Sequence, residues 1–143
     1  MIIRKAAAED APDLSVLNTE FNGYGGPDPE MIRESLCSNA QEIVFVSEKG
    51  GKLTGFLCMQ LKRSFCYTDL TAEITEMYVR PEYRRNGTAS EIMLYAERFC
   101  REEYQVRKFE LLTGDDNQPA RSLYESRGYE CDGEIHMSKR SVQ

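Results

Sequence analysis

The segment between residues 70 and 89 has the residue types of an anion-binding loop. An apolar stretch ending at Val79 is followed by a short polar loop with Gly87 and by the start of a helix pattern. The first N–H groups of a helix have no intrahelical acceptor and carry the positive end of its dipole, so they favour phosphate groups. Gly87 lets the backbone approach an anion closely, and three arginines add positive charge, at Arg80, Arg84 and Arg85. The spacing predicts a polyanion site that matches neither the dinucleotide-binding nor the Walker motif.

This loop needs a strand before it and a helix after it, and the sequence predicts both. The strand covers about residues 70–79 and ends before Pro81, which cannot extend a ladder and biases Arg80 toward an extended conformation. The helix follows a 3.6-residue period, so a single apolar stripe faces a sheet. The stripe consists of Ala89, Ile92, Met93, Ala96, Phe99 and Cys100.

Elsewhere the chain alternates strand and helix patterns, which predicts a single α/β (α+β) domain over residues 1–143. The order is βααβββαβαββ, a mixed sheet with helices on its faces. The upstream elements are a strand at 2–5, helices at 9–21 and 29–37, and strands at 42–48 and 53–61 joined by a hairpin turn. The downstream elements are a strand at 108–113, a helix capped by Asn117 or Asp116 and ended by Gly128, and two short strands at 129–131 and 135–139.

Composition and charge disfavour several classes of protein. The chain has 143 residues, a formal net charge of −6 and a pI near 4.9, so its surface repels nucleic acid. No apolar run approaches the roughly 20 residues that a membrane helix needs, and the N-terminus lacks the order of a signal peptide. Five unpaired-looking cysteines are typical of reduced thiols, and a single histidine, His136, disfavours a metal site. We expect a cytoplasmic protein without a metal, nucleic-acid or membrane partner.

Two motifs resemble those of the GNAT superfamily of N-acetyltransferases. Arg84-x-x-Gly87-x-Ala89, preceded by an apolar strand, resembles that family's R/Q-x-x-G-x-G/A pyrophosphate loop. A second segment is similar to its N-x-x-A-x-x-L-Y-x-x-x-G-F pattern, at Asn117, Ala120, Leu123, Tyr124, Gly128 and Tyr129. Both occur in the family's order over nearly the whole chain. One departure is Arg85, where many members have glycine; we interpret it as compatible with the loop and facing the ligand, although a positive φ would strain it.

The resemblance implies acetyl-CoA as co-substrate and a role for each matching residue. Backbone N–H groups bind the CoA pyrophosphate, at Arg84, Arg85, Asn86, Gly87, Thr88 and Ala89. The backbone of Met77, Tyr78 and Val79 pairs with the pantetheine arm as an added strand would. Asn117 faces that arm, and Tyr124 protonates the departing thiolate. The resemblance also implies that the sheet splays open between the strands ending near residues 79 and 113.

A carboxylate is expected to take a proton from the acceptor amine, because an ammonium group cannot attack a thioester. Two candidates lie on the strand at 70–79. Glu73 occupies the position that resembles the catalytic glutamate of some protein-acetylating members, and it is the first choice; Glu76 is the second. Because their separation is odd, we expect them on opposite faces of the strand, with only one facing the cleft.

The leading function is therefore acetyl transfer from acetyl-CoA to an amine by direct attack in a ternary complex. A small cationic acceptor is favoured by residues 6–32, which contain six acidic and no basic residues and form either an acidic rim or a solvated helix face. A protein or peptide acceptor, at an N-terminus or a lysine, is one alternative. A non-catalytic acyl-CoA-binding module is another. A homodimer is left open.

Overall fold

The computed structural model describes residues 1–141. The chain divides into two compact units, residues 1–111 and 112–143. The single domain over 1–143 stays a prediction, and each unit is described by itself below. No helix within the described residues is long and apolar enough to cross a membrane.

The first unit contains five strands and three α-helices, close to the predicted bounds. The strands are β1 (Ile2–Lys5), β2 (Glu42–Lys49), β3 (Lys52–Lys62), β4 (Thr71–Val79) and β5 (Lys108–Leu111). The helices are α1 (Ala11–Asn22), α2 (Pro29–Ser38) and α3 (Thr88–Tyr104), with short 3₁₀ turns at Ala8–Asp10 and Pro81–Tyr83. The predicted strand at 108–113 is two residues shorter than expected.

The strands lie in the order β1-β2-β3-β4-β5, so each neighbours the strand that follows it in sequence. The first three pairings are antiparallel and the β4–β5 pairing is parallel. The turn between β2 and β3 is tight because Gly50 and Gly51 both have positive φ, 59° and 79°, which suits a hairpin with right-handed twist. The parallel pairing follows from the crossover through α3. The fold class is therefore confirmed as a mixed α/β sheet.

Helices cover both faces of this sheet. On one face, Leu14 and Leu17 of α1 pack against Val46, Phe56 and Tyr78, with α2 contributing partly buried side chains; we call this the α1–α2 face. On the other, Phe45 meets the rings of Tyr95 and Phe99 on α3 at 5.9 and 5.4 Å; we call this the α3 face. Burying apolar area on both faces stabilises the sheet by about 25 cal/mol per Å².

The second unit contains one helix, α4 (Gln118–Ser126), as predicted. The Asn117 side chain accepts a hydrogen bond from the Ala120 N–H at 3.4 Å, and Pro119 lies in the first turn. Both features are favourable at a helix start, because they satisfy or remove N–H groups that lack intrahelical acceptors.

The two strands predicted at 129–131 and 135–139 are wrong for the described residues, which contain no strand after α4. Ile135 and Met137 are 85% and 87% exposed, so the alternating pattern does not mark a buried face. The Glu134 N–H instead donates to Asp132 Oδ1 at 3.0 Å, a local turn beside Gly133 with φ 81°. A period of two gives a segment two faces, but a strand exists only when its backbone groups pair with a neighbour.

Candidate active site

β4 contains a bulge at Thr75. Across from β3, Ile74 pairs with Met59 and Glu76 pairs with Cys58, so Thr75 is an extra residue without a partner on β3. Its hydroxyl donates to the carbonyl oxygen of Cys58 at 3.4 Å. A bulge bends its strand and interrupts the ladder locally. The ladder between β3 and β4 is therefore interrupted between Ile74 and Glu76.

The bulge places Glu73 and Glu76 on the same face of the sheet. Glu73 lies opposite Gln60, and Glu76 lies opposite Cys58. Directly opposite residues of antiparallel strands share a face, and Gln60 and Cys58 are two residues apart on a strand of regular alternation. Cys58 packs against the cluster on the α1–α2 face. The prediction of opposite faces is therefore wrong, because the bulge adds one residue to the count between the glutamates.

The pairing of β4 with β5 ends at the same place. The parallel register runs from Thr71 opposite Lys108 to Ile74 opposite Leu111. Beyond the bulge, the rest of β4 up to Val79 pairs with β3, and within residues 1–111 its other edge has no strand partner. An open edge presents a row of N–H and C=O groups to which an extended ligand can pair. The residues predicted to pair with pantetheine, Met77, Tyr78 and Val79, lie on this stretch.

Glu73 is held in an ion network at the closed end of the β4–β5 pair. The Lys62 ammonium on β3 contacts the Glu73 carboxylate and lies 3.0 Å from Glu110 Oε1 on β5. The Glu73 side chain is 17% exposed. Hydrogen bonds to Glu73 and, to a smaller extent, to Glu110 raise the pKa of Lys62. Lys62 is therefore a cation at neutral pH. Neither Lys62 nor Glu110 was predicted, because the network depends on strand register rather than on a motif.

Glu76 has a different environment from Glu73. Its side chain is exposed, and no cation pairs with it within residues 1–141. Its charge and, to a larger extent, burial raise the pKa of Glu42 on β2. Burial also raises the pKa of the Cys58 thiol strongly, with smaller contributions from Glu42 and Glu76. The α1–α2 face of the sheet therefore carries Glu42, Glu73 and Glu76, of which sequence reasoning missed Glu42 because a single glutamate at a strand start has no distinguishing spacing.

The loop between β4 and α3 is fixed by its own side chains. Arg84 Nε donates to the carbonyl oxygen of Val79 at 2.8 Å. The buried Thr88 hydroxyl donates to the carbonyl oxygen of Tyr83 at 3.2 Å. Gly87, the N-cap of α3, has φ 78° and ψ 7°, and no side chain caps this helix start. A Cβ at Gly87 would meet nothing within 4 Å, so the space in front of the helix start is open. The uncapped N–H groups and this space fit a phosphate.

The arginines of the loop differ in their roles. Arg80 pairs with Glu20 of α1 at 3.0 Å and donates to the carbonyl oxygen of Leu53 at 3.3 Å, so its charge is used inside the fold. Arg85 is exposed and has φ 65°. This is the left-handed conformation that glycine adopts easily and that costs other residues about 1 kcal/mol or more. The departure from the family's glycine therefore introduces strain.

Most of the acidic residues between positions 6 and 32 have partners within the chain. Asp10 forms a two-point pair with Arg4, at 2.7 and 2.9 Å. Glu20 pairs with Arg80, and Glu30 pairs with Arg33. Asp28 caps α2 by accepting the Met31 N–H at 2.9 Å. Carboxylates that are already paired attract an external cation weakly, so this stretch does not act as an acidic rim of six free charges.

In the second unit, Asn117 and Tyr124 lie at the start and in the last turn of α4. The Asn117 side-chain oxygen is used as the helix cap, which leaves its NH₂ group as the part that can contact a ligand. Burial raises the pKa of Tyr124, and its ring lies 6.3 Å from that of Tyr129. A phenol with a raised pKa stays protonated at neutral pH. The roles of both residues stay predictions.

A mixed sheet with helices on both faces, in which an unpaired stretch of β4 leads into an uncapped helix start, is the architecture of an N-acetyltransferase. The sequence model of the acetyltransferase (GNAT) family matches residues 11–129. The chain belongs to this family.

Similar proteins agree with this assignment. An uncharacterized N-acetyltransferase, YhfO of Bacillus subtilis (strain 168), is 25% identical over 144 residues, covering 95% of each chain. The aminoglycoside acetyltransferase meta-AAC0020, from an uncultured soil metagenomic sample and crystallised with trehalose, superposes with a TM-score of 0.86 at 18% identity, covering 99% of this chain and 96% of that one. AAC(6')-Iy, in complex with the bisubstrate analogue CoA-S-monomethyl-acetylneamine, gives 0.84 at 16% identity, covering 99% and 98%. At such identities the likeness shows the shared fold.

Proposed function

We propose that this protein transfers the acetyl group of acetyl-CoA to an amine of a small cationic molecule, by direct attack in a ternary complex. One observation carries the proposal. Within the part of the chain that the structure describes, the edge of β4 beyond the bulge has no strand partner, and it leads directly into the uncapped start of α3. A long ligand with an extended amide arm and a pyrophosphate end requires these two features in this order.

The residues present fit acetyl-CoA. The backbone of Met77, Tyr78 and Val79 offers donors and acceptors to the arm, and the N–H groups from Arg84 to Ala89 would hold the pyrophosphate. The open space at Gly87 supports close approach of a phosphate to the backbone. When bound, acetyl-CoA supplies an acetyl group activated as a thioester.

The protein's own residues handle two protons. A carboxylate of β4, Glu73 or Glu76, accepts the proton that the ammonium must lose before nitrogen can attack. Tyr124 donates a proton to the thiolate sulfur as the carbon–sulfur bond breaks. A phenol, whose ordinary pKa is about 10, is protonated when the reaction begins, and burial holds the pKa of Tyr124 above that value.

The carboxylates of the α1–α2 face support a cationic acceptor. Four carboxylates lie on this face, at Glu42, Glu73, Glu76 and Glu110, around the ammonium of Lys62. The guanidinium of Arg84 lies further along β4, 5.6 Å from the centre of the Tyr78 ring. A field of one sign favours encounter with a ligand of the opposite sign, within a screening length of about 8 Å at physiological salt. The aminoglycoside acetyltransferase that shares the fold is consistent with this class of acceptor. A cytoplasmic location and a homodimer stay predictions.

The proposal is tested by measuring free thiol released from acetyl-CoA in the presence of spermidine, kanamycin and a lysine-containing peptide. We expect amine-dependent release, fastest with a small polycation, and a KM for that acceptor that rises with salt. Release only with the peptide would favour a protein acceptor. Acetyl-CoA binding without release for any amine would favour a non-catalytic binding module and would contradict the proposal.

A further inference from the structure

The two glutamates of β4 share a face but lie on either side of the bulge. Glu73 precedes it, in the part of β4 that is paired with β5. Glu76 follows it, where the pairing with β5 has ended and the open edge begins. An acetyl donor aligned along the open edge would therefore have Glu76 beside it, whereas Glu73 lies within the closed part of the sheet.

The ion pair between Lys62 and Glu73 has an electrostatic cause. Glu73 and Glu110 are directly opposite each other in the parallel ladder, and like charges in that arrangement repel. The Lys62 ammonium contacts both carboxylates, which relieves the repulsion. A carboxylate engaged by an ammonium in this way has less freedom to take a proton from a second ammonium.

Glu76 has no such partner within residues 1–141. Two titratable groups lie close enough for the charge of Glu76 to affect their pKa, Glu42 on β2 and Cys58 on β3. Cys58 is a neutral thiol at physiological pH because burial raises its pKa. Glu76 therefore has a second carboxylate close by and, among the described residues, no ion-pair partner, an environment that attracts an ammonium.

We propose that Lys62 is a positioning residue that ties Glu73 to Glu110 and thereby leaves Glu76 as the carboxylate that accepts the proton of the acceptor amine. This inference rests on the proposed function and narrows it. The amine nitrogen gives its proton to a Glu76 carboxylate oxygen, and its lone pair forms the new carbon–nitrogen bond. The carbon–sulfur bond breaks, and the thiolate receives the proton of Tyr124. The acylated nitrogen then loses its second proton to solvent, and solvent returns a proton to the Tyr124 phenolate, so that the products are the neutral amide, free CoA and a protonated Glu76 that releases its proton to water.

The first test compares Glu76→Gln with Glu73→Gln across pH, using the best acceptor among spermidine, kanamycin and the peptide. Glu76→Gln should lower kcat about 100-fold at neutral pH and recover partly at high pH, where more amine is already neutral. Glu73→Gln should lower kcat less than about tenfold and keep the shape of the wild-type pH profile. A larger loss for Glu73→Gln, or equal losses for both, would overturn the proposal.

The second test asks whether the ion pair with Lys62 prevents Glu73 from accepting the proton of the amine. Adding Lys62→Met to Glu76→Gln should free Glu73 and restore kcat by about tenfold, whereas adding Lys62→Arg, which keeps the cation, should not. Arg33→Met, which removes an exposed ion pair on α2, is the matched control and should leave kcat unchanged in either background. No recovery with Lys62→Met would overturn the positioning role.

The third test needs no acceptor and so separates this inference from the proposed function. Thermal unfolding of Lys62→Met, Glu73→Gln and the double variant forms a double-mutant cycle. If Lys62 holds Glu73, the double variant should lose less in Tm than the sum of the two single losses. Additive losses would refute the tie between the two residues even if the enzyme acetylates amines as proposed.

Discussion

Residues of one chemical type receive different roles here because their surroundings differ. Three glutamates share one face of the sheet. Glu73 forms an ion pair with Lys62, whereas Glu76 is exposed and has no ion-pair partner within residues 1–141. Burial and the charge of Glu76 raise the pKa of Glu42. Tyr124 also differs from a free phenol, because burial raises its pKa. The identity of a side chain alone does not assign its role.

A prediction at this scale concerns Tyr124. Tyr124→Phe keeps the ring and removes the proton, so kcat should fall about 100-fold with little change in the KM for acetyl-CoA. Steady-state kinetics with the best acceptor would measure both constants. Tyr104→Phe, which removes a phenol from the end of α3, is the control. Wild-type kcat in Tyr124→Phe would leave Tyr124 with a packing role only.

At the scale of elements, the sequence predicted the helices and the five strands of the sheet within a few residues, because their apolar periods reflect burial. It did not predict the bulge at Thr75, because the break in alternation at the consecutive polar residues Thr75 and Glu76 is identified as a bulge only by the register with β3. Because strand pairing is not visible in the sequence, the sequence also predicted two strands after α4 that the described residues do not contain. The ion network of Lys62, Glu73 and Glu110 was missed for a related reason, because its members come from three separate strands.

A prediction for the loop before α3 separates its two unusual positions. Gly87→Glu would place a negative charge and a strained φ at the helix start, and calorimetry should show CoA affinity reduced by at least about tenfold, or 1.4 kcal/mol. Unchanged CoA affinity in a folded Gly87→Glu variant would refute the phosphate site.

Arg85, in the same loop, gives a separate prediction about stability. Arg85→Gly relieves the positive φ of 65° and should stabilise the protein by about 1 kcal/mol, which thermal unfolding would detect as a rise of a few degrees in Tm.

At the scale of the whole molecule, several of the 24 acidic residues are engaged in internal ion pairs. Arg4 joins Asp10 and Glu48, and Arg80 joins Glu20 to the end of β4. These pairs connect parts of the first unit that are distant in sequence. Stability should therefore depend on pH through individual carboxylates rather than through total charge.

Two carboxylates should change stability with pH in opposite directions. Hydrogen bonds from Arg4 hold the pKa of Asp10 below its ordinary 3.8, so its contribution is present above that pH and is lost as pH falls below it. Burial, and then Glu76, raises the pKa of Glu42 above its ordinary 4.5, so Glu42 costs stability as pH rises above that value.

Denaturant unfolding of Asp10→Asn and Glu42→Gln between pH 3 and 8 would measure both effects. Relative to the wild type, Asp10→Asn should be least stable near neutral pH and approach it in acid. Glu42→Gln should be close to the wild type at low pH and gain stability as pH rises. Parallel curves for all three proteins would contradict both assignments.

The bulge at Thr75 also has a consequence for how this strand can change in length. Thr75 is the residue of β4 that has no counterpart on β3, so a mutation that deletes its codon would leave every other pairing between the two strands in place. Glu73 and Glu76 would still face the same way, now two positions apart on a regular strand. What the shorter gene would lose is the bend that a bulge gives its strand. Orientation of the carboxylates and curvature of the strand are thus separately heritable, and one three-nucleotide deletion distinguishes them.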